Sequence, residues 1–302
     1  MTTQLNIRSA VEKNQPRFYV SDGAVEVRFT QFKKGVYYAG NQKAGDAVNR
    51  DKGALRALGL TDSALNVMLA VSENEGNLDA INTWDNSFMT FGMFQWTVGA
   101  GTDPGELATL LQKIKTADPA VFMTHYGQYG LDIEPVNTIS GYFILENKKL
   151  KVPADKEGLR AIEWAFRFWK SGQDPLVQSI QIQHALSRIN SFYKANSYMV
   201  KGHYLADLIK SEYGVGLLLD NHVNRPGYVK ACVETALMQL NLGDPSGWGT
   251  KEEMRLLEDY LKVRAVYGQA PMTDADRRAA VTKKYLDKGI ISAERGSFRY
   301  ES

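Results

Sequence analysis

Hydrophobic positions recur at helical spacing over most of the chain and alternate, as in strands, in only two short places. Thr61-Asp62 opens a segment with Leu65, Met68, Leu69 and Ser72 on one stripe, which predicts a helix over 61–75 with Asp62 as its N-cap. From 155 onward, Leu159, Ile162, Phe166 and Trp169 keep helical spacing until Gly172 and Pro175 stop it. Ile182, Leu186, Ile189 and Tyr193 align across 175–199, and further helices are predicted at 203–213, 226–241, 250–267 and 273–288. Strand patterns flank Ser21-Asp22-Gly23 within 17–31, a hairpin signal. A second hairpin is predicted from Tyr142-Phe-Ile-Leu to Leu150-Lys-Val152, with Glu146-Asn-Lys-Lys149 as its turn.

The fold class expected from these elements is α+β and predominantly α-helical. Two parts are expected: an extension over 1–55 carrying the first hairpin, and a main domain over 56–302. The glycine-rich stretch 76–105 has no sustained period, and a long irregular segment inside a compact domain is commonly functional.

Composition narrows the function classes. The 302 residues hold 36 Lys+Arg against 34 Asp+Glu, a net charge of +2 that is too mild for a nucleic-acid binder. A single cysteine excludes an internal disulfide framework and a Cys-based zinc cage. The four histidines are scattered with no ligand spacing, so neither a metal nor a cofactor is expected. No Gly-x-Ser-x-Gly elbow or phosphate loop is present. Apolar runs such as Val67–Val71 fall far short of the roughly 18 residues that span a bilayer, and the N-terminal stretch reads as no secretory signal. Synthesis in the cytoplasm without membrane insertion is expected.

Chemistry concentrates in 73–96, which holds Glu73, Glu75, Asp79 and Asp85 among Asn77, Asn82, Thr83, Thr90 and Gln95, with Trp84, Phe88, Phe91, Phe94 and Trp96 between them. Aromatic neighbours raise a carboxyl pKa and keep it protonated for donation to a leaving oxygen. Rings also stack on the apolar faces of sugars, and a glycosidase commonly uses a second carboxylate.

These residues resemble the active-site segment of the lysozyme superfamily. Glu75-Gly76 at a helix end is similar to the Glu-Gly or Glu-Ser that carries the general acid in phage-type lysozymes and lytic transglycosylases. Thr90-Phe91-Gly92 is similar to their Thr-x-Gly, and Gly92-Met93-Phe94-Gln95 resembles the transglycosylase Gly-Leu-Met-Gln. In phage-type enzymes an Asp follows the Glu by nine or ten positions and a Thr by about fifteen; Asp85 and Thr90 stand ten and fifteen after Glu75. The phrase from Glu75 to Asp85 also looks like a lysozyme-like group of phage and bacterial antagonism proteins. The likeness covers about 35 residues of the 302.

The resemblance implies a lysozyme-like fold and a muramidase that cuts peptidoglycan between N-acetylmuramic acid and N-acetylglucosamine. It implies Glu75 as general acid, with Gly76 at positive φ ending its helix. Asp85 becomes the second carboxylate, with Asp79 as its alternative, and Thr90 orients the attacking water. Asn82, Gln95, Trp84, Trp96 and Asp79 are candidates for sugar binding. So is Asn224, in the dense polar segment Asp220–Gly227 that follows the apolar run Leu217–Leu219. Delivery machinery and an immunity protein are the expected protein partners, and the wall outside the cytoplasm is the expected place of action. Lytic transglycosylase and chitosanase-like activities are variants of this reading. A non-catalytic wall-binding module, with Glu75 only a cap or ion-pair partner, is the alternative of another class.

Overall fold

The computed structural model describes residues 4–300 as a mixture of helices and antiparallel strands, an α+β protein in which helices predominate. The chain divides into two compact units that alternate along the sequence. Unit 1 comprises Met1–Ala47 and Gly76–Gln181, and unit 2 comprises Val48–Glu75 and Ile182–Ser302. The boundary expected at 55/56 thus falls inside unit 2, while 1–47 shares unit 1 with the segment that begins at Gly76.

The strands are β1 (Asn6–Glu12), β2 (Gln15–Ser21), β3 (Glu26–Phe32), β4 (Gly35–Tyr38), β5 (Ile81–Asn82), β6 (Thr90–Phe91), β7 (Trp96–Thr97), β8 (Leu131–Pro135), β9 (Gly141–Leu145) and β10 (Lys148–Lys149). The helices are α1 (Ala44–Arg50), α2 (Lys52–Ala57), α3 (Asp62–Ser72), α4 (Glu106–Ala117), α5 (Pro119–His125), α6 (Pro153–Lys156), α7 (Ile162–Ser171), α8 (Pro175–Ser187), α9 (Leu205–Leu208), α10 (Glu212–Asn224), α11 (Val229–Met238), α12 (Thr250–Val266) and α13 (Ala275–Asp287). None of the described helices is long and apolar enough to cross a membrane.

Unit 1 holds a seven-stranded antiparallel meander, β1 to β7 in sequence order, and a three-stranded sheet of order β10-β9-β8. The hairpin expected over 17–31 is present as β2 and β3. Asp22 Oδ1 accepts from the Ala24 and Val25 amides at 3.0 and 3.1 Å and closes the turn. The second hairpin turns more tightly than expected: Leu145 faces Lys148, leaving Glu146-Asn147 as a two-residue turn, both at positive φ. That is the geometry whose twist matches the strands it joins.

The sheet positions the 76–105 segment by pairing with it. Tyr37 faces Asn82, Asn82 faces Thr90, and Thr90 faces Thr97, so these four residues form one row across β4 to β7. Gly35 permits the approach, since a Cβ there would lie 2.4 Å from the Thr83 carbonyl oxygen. Below the sheet Phe168 of α7 meets Phe91, Tyr126 and Phe143 with ring centroids 5.4, 5.0 and 6.3 Å away.

In unit 2, α3 buries Leu65, Val67, Met68 and Val71 and packs against α10 and α13. Its N-cap is Thr61, whose Oγ1 accepts from the Ala64 amide at 3.1 Å; Asp62, the expected cap, is the first helical residue and pairs with Arg56 instead. α10 is buried from Glu212 to His222, including Asp220 and Asn221. The helix expected over 203–213 shrinks to α9, because Ser211 caps α10 by accepting from the Gly214 amide at 3.0 Å. The one expected over 175–199 leaves α geometry after Ser187 and continues as short 3₁₀ turns. There the Ser187 and Ser191 hydroxyls donate back to the carbonyls of His184 and Arg188, competing with the backbone ladder.

Candidate functional site

Glu75 sits one tight turn beyond α3. The Asn74 amide donates to the Val71 carbonyl at 2.9 Å and the Glu75 amide to that of Ser72 at 3.3 Å, so the chain coils on before leaving the helix. This tight turn past the helix sends Glu73 and Glu75 to different surroundings. Glu73 is exposed and accepts from Lys284 Nζ at 3.1 Å and the Tyr285 hydroxyl at 2.7 Å, both of which hold its pKa below the usual carboxylate value. Glu75 turns inward, with its side chain 7% exposed.

Gly76 follows with a φ outside the positive range, a departure from the expected helix-ending turn. Its small size serves close approach: its amide donates to the Met93 carbonyl at 2.9 Å, and an added Cβ would stand 3.0 Å from that oxygen.

Around Glu75 lies a buried polar cluster drawn from α10, α12 and α13. Arg278 Nη2 donates to Glu75 Oε1 at 2.5 Å and lies 2.7 Å from Asp220 Oδ1, while its Nη1 donates to the Asn74 carbonyl at 2.9 Å. Asn74 Nδ2 donates to Asp220 Oδ1 at 3.1 Å, and Arg264 Nη1 approaches Asp220 Oδ2 at 3.4 Å. Asp220 is fully buried and Arg264 nearly so. Burial pushes the Glu75 carboxyl up to about 7, against the opposing pull of the Arg278 charge; the negative charge of Asp220 adds to the rise. Glu75 Oε1 is engaged by Arg278, whereas Oε2 accepts no hydrogen bond among the described residues. A carboxyl of this kind is protonated in part near neutral pH and can donate a proton.

The other candidates belong to unit 1, apart from Asn224. Asp85 is half-buried; its Oδ2 accepts from Asn82 Nδ2 and its Oδ1 from the Ser87 amide, both at 2.8 Å. Asn82 also accepts from the Trp84 amide at 3.0 Å, so Asn82, Trp84 and Asp85 form one local turn. Trp84 packs edge-on to Phe32 at 4.6 Å, with Lys33 Nζ 4.8 Å above its ring. The Thr90 hydroxyl is buried beside Asn82 in the strand row and has no partner among the described residues. Gln95 is exposed at φ 54°, its Nε2 donating to the Gly92 carbonyl at 2.8 Å. Trp96 is 2% exposed, a core residue of the sheet.

Asp79 is fully buried with both oxygens engaged. Oδ1 accepts from the Asn41 and Gln42 amides at 2.8 and 2.9 Å, and Oδ2 from Gln173 Nε2 at 3.0 Å. It organises the chain between β4 and α1. Asn224, in unit 2, accepts from the Thr273 amide at 3.3 Å. Among the described residues no group of three His, Cys, Asp or Glu side chains is arranged to hold a metal ion.

Arg278 and Arg264 were not among the residues marked in the sequence, and Asp220 stood there only as part of a dense polar segment. The density of polar residues after Leu217–Leu219 was the available signal for Asp220. Arg278 lies 203 positions from Glu75 in an otherwise ordinary basic helix. No family model, curated protein or solved structure matches the chain.

Proposed function

We propose that this protein is a glycoside hydrolase of lysozyme-like character that cleaves peptidoglycan between N-acetylmuramic acid and N-acetylglucosamine, with Glu75 as general acid. The Glu75 carboxyl carries the reading: nearly buried just past a helix end, with a pKa of about 7 and with Oε2 accepting no hydrogen bond among the described residues. In its protonated form it donates to the glycosidic oxygen as the bond from that oxygen to the sugar's anomeric carbon breaks. Arg278 then faces the newly formed carboxylate and stabilises it. Water adding to the anomeric carbon gives a reducing end; the sugar's own 6-hydroxyl gives a 1,6-anhydro end, the transglycosylase outcome. The roles of Asp85 in supporting positive charge and of Thr90 in orienting water rest on the resemblance, and each is testable by its own substitution. On this reading peptidoglycan is the protein's partner.

The Arg278–Glu75 contact favours a second reading, a wall-binding protein in which Glu75 is an ion-pair partner. Incubating purified peptidoglycan with the wild type and with Glu75→Gln separates the two. Clearing by the wild type alone, with soluble fragments whose masses define the new ends, supports the hydrolase. Equal clearing by both removes Glu75 from the chemistry. Sedimentation of both with the wall and clearing by neither supports the binding module.

A further inference from the structure

A second built feature lies wholly within unit 1. Arg167, on α7, places its guanidinium carbon 3.9 Å from the Tyr129 ring centroid and 4.5 Å from that of Trp164, one turn earlier on the same helix. The two rings stand nearly perpendicular, at 85°, and hold the fork from two directions. No carboxylate comes within ion-pair distance of Arg167 among the described residues. It faces a cavity of about 210 Å³ that is also lined by Asp22, Thr124, His125, Tyr129 and Lys170.

The one carboxylate in the lining is already committed. Asp22 accepts two backbone amides of its own turn and pairs with Lys170. His125 lies 3.4 Å from Asp174, and burial lowers its pKa, so near neutral pH it is largely uncharged. Lys170 and Asp22 offset each other, and Arg167 feels the charge of Glu163 on its own helix without forming an ion pair with it. An arginine fixed by aromatic faces has lost little further freedom when its N–H groups meet an anion, and its planar fork matches two oxygens at once. The cavity is smaller than the usual range for drug-sized ligands.

We propose that this pocket binds a compact oxyanion, the carboxylate or phosphate group of a small molecule, with Arg167 as its principal contact. It is independent of the role of Glu75, because every lining residue belongs to unit 1 and the readout is binding alone.

The test titrates acetate, inorganic phosphate and, as a neutral control, N-acetylglucosamine into the full chain at low ionic strength. Heat and the indole N–H resonance of Trp164 are followed by calorimetry and NMR. One saturable site for acetate or phosphate and none for the sugar is expected, and the tighter of the two names the group. Arg167→Gln is expected to weaken that site by about tenfold or more, and Arg167→Lys, which keeps charge but not the fork, by about threefold. Absence of saturable anion binding overturns the proposal, as does unchanged affinity in Arg167→Gln. Should Arg167→Gln lose its NMR dispersion, unchanged affinity in Arg167→Lys overturns it instead.

Discussion

One nitrogen of Arg278 lies 2.5 Å from Glu75 Oε1 and 2.7 Å from Asp220 Oδ1, so two buried carboxyl groups share a single donor. They are not equally served. Asp220 also receives Asn74 and Arg264, whereas among the described residues Glu75 accepts a hydrogen bond from Arg278 alone. The buried carboxyl with fewer donors is the one that burial most readily keeps protonated. This asymmetry underlies the first three predictions.

Glu75→Gln keeps the shape and removes the proton. Wall clearing, followed as turbidity, is expected to fall by about 10²- to 10⁴-fold. Far-ultraviolet circular dichroism is expected to stay unchanged, since Oε1 can still accept from Arg278.

The raised pKa sets the sign of the pH dependence. With Glu75 as the proposed general acid, its acid form is the reactive one, and activity is expected to decline as pH rises through about 7. Between the ordinary value of 4.5 and about 7 the folded protein holds a proton that the unfolded chain has released. The stabilising contribution of protonated Glu75 is therefore full below 4.5 and is lost as pH rises through about 7. Urea unfolding at pH 5 and pH 8 checks this, with the Glu75-dependent part of the difference absent from Glu75→Gln.

Arg278→Met and Asp220→Asn are expected to move the alkaline limb of activity in opposite directions. Arg278 lowers the Glu75 pKa and Asp220 raises it, so the first variant shifts the limb upward in pH and the second shifts it downward. Arg278→Met also leaves Asp220 short of a partner, at a cost of about 3–5 kcal/mol in urea unfolding. A pH–rate profile with no shift in either variant would detach the cluster from the chemistry.

Asp79→Ala tests whether that residue serves structure or substrate. Loss of two amide partners and Gln173 is expected to destabilise by about 2–4 kcal/mol. Folded Asp79→Ala is expected to sediment with peptidoglycan as the wild type does. Weakened sedimentation with unchanged stability would restore the sugar-binding role.

Lys156 is fully buried and donates to the carbonyls of Gly99, Gly101 and Asp103 at 2.9, 3.1 and 2.9 Å. Lys156→Met orphans three acceptors in the turn that ends the 76–105 segment. Destabilisation of about 2–4 kcal/mol is expected, read by thermal and urea unfolding.

Local pattern was enough wherever a segment's own neighbours decide its conformation. The apolar stripe of 61–75 identified α3 and put Glu75 at its end. Asp22-Gly23 marked a turn because a short carboxylate accepts its own downstream amides. The amphipathic runs at 250–267 and 273–288 became α12 and α13 nearly as bounded.

Tertiary structure decided what depends on distant partners. Two-residue strands such as β5, β6 and β7 have no period of their own and exist because each finds an edge to pair with, β5 on β4, β6 on β5 and β7 on β6. Gly76 reads in sequence as a helix stop, yet its hydrogen requirement comes from the Met93 carbonyl lying against it. Arg278 carries no mark in its own helix, and its pairing with Glu75 spans 203 positions. Sequence alone therefore placed a carboxyl at a helix end. Its raised pKa required tertiary structure, because desolvation and charge act through space, on whichever groups folding brings together.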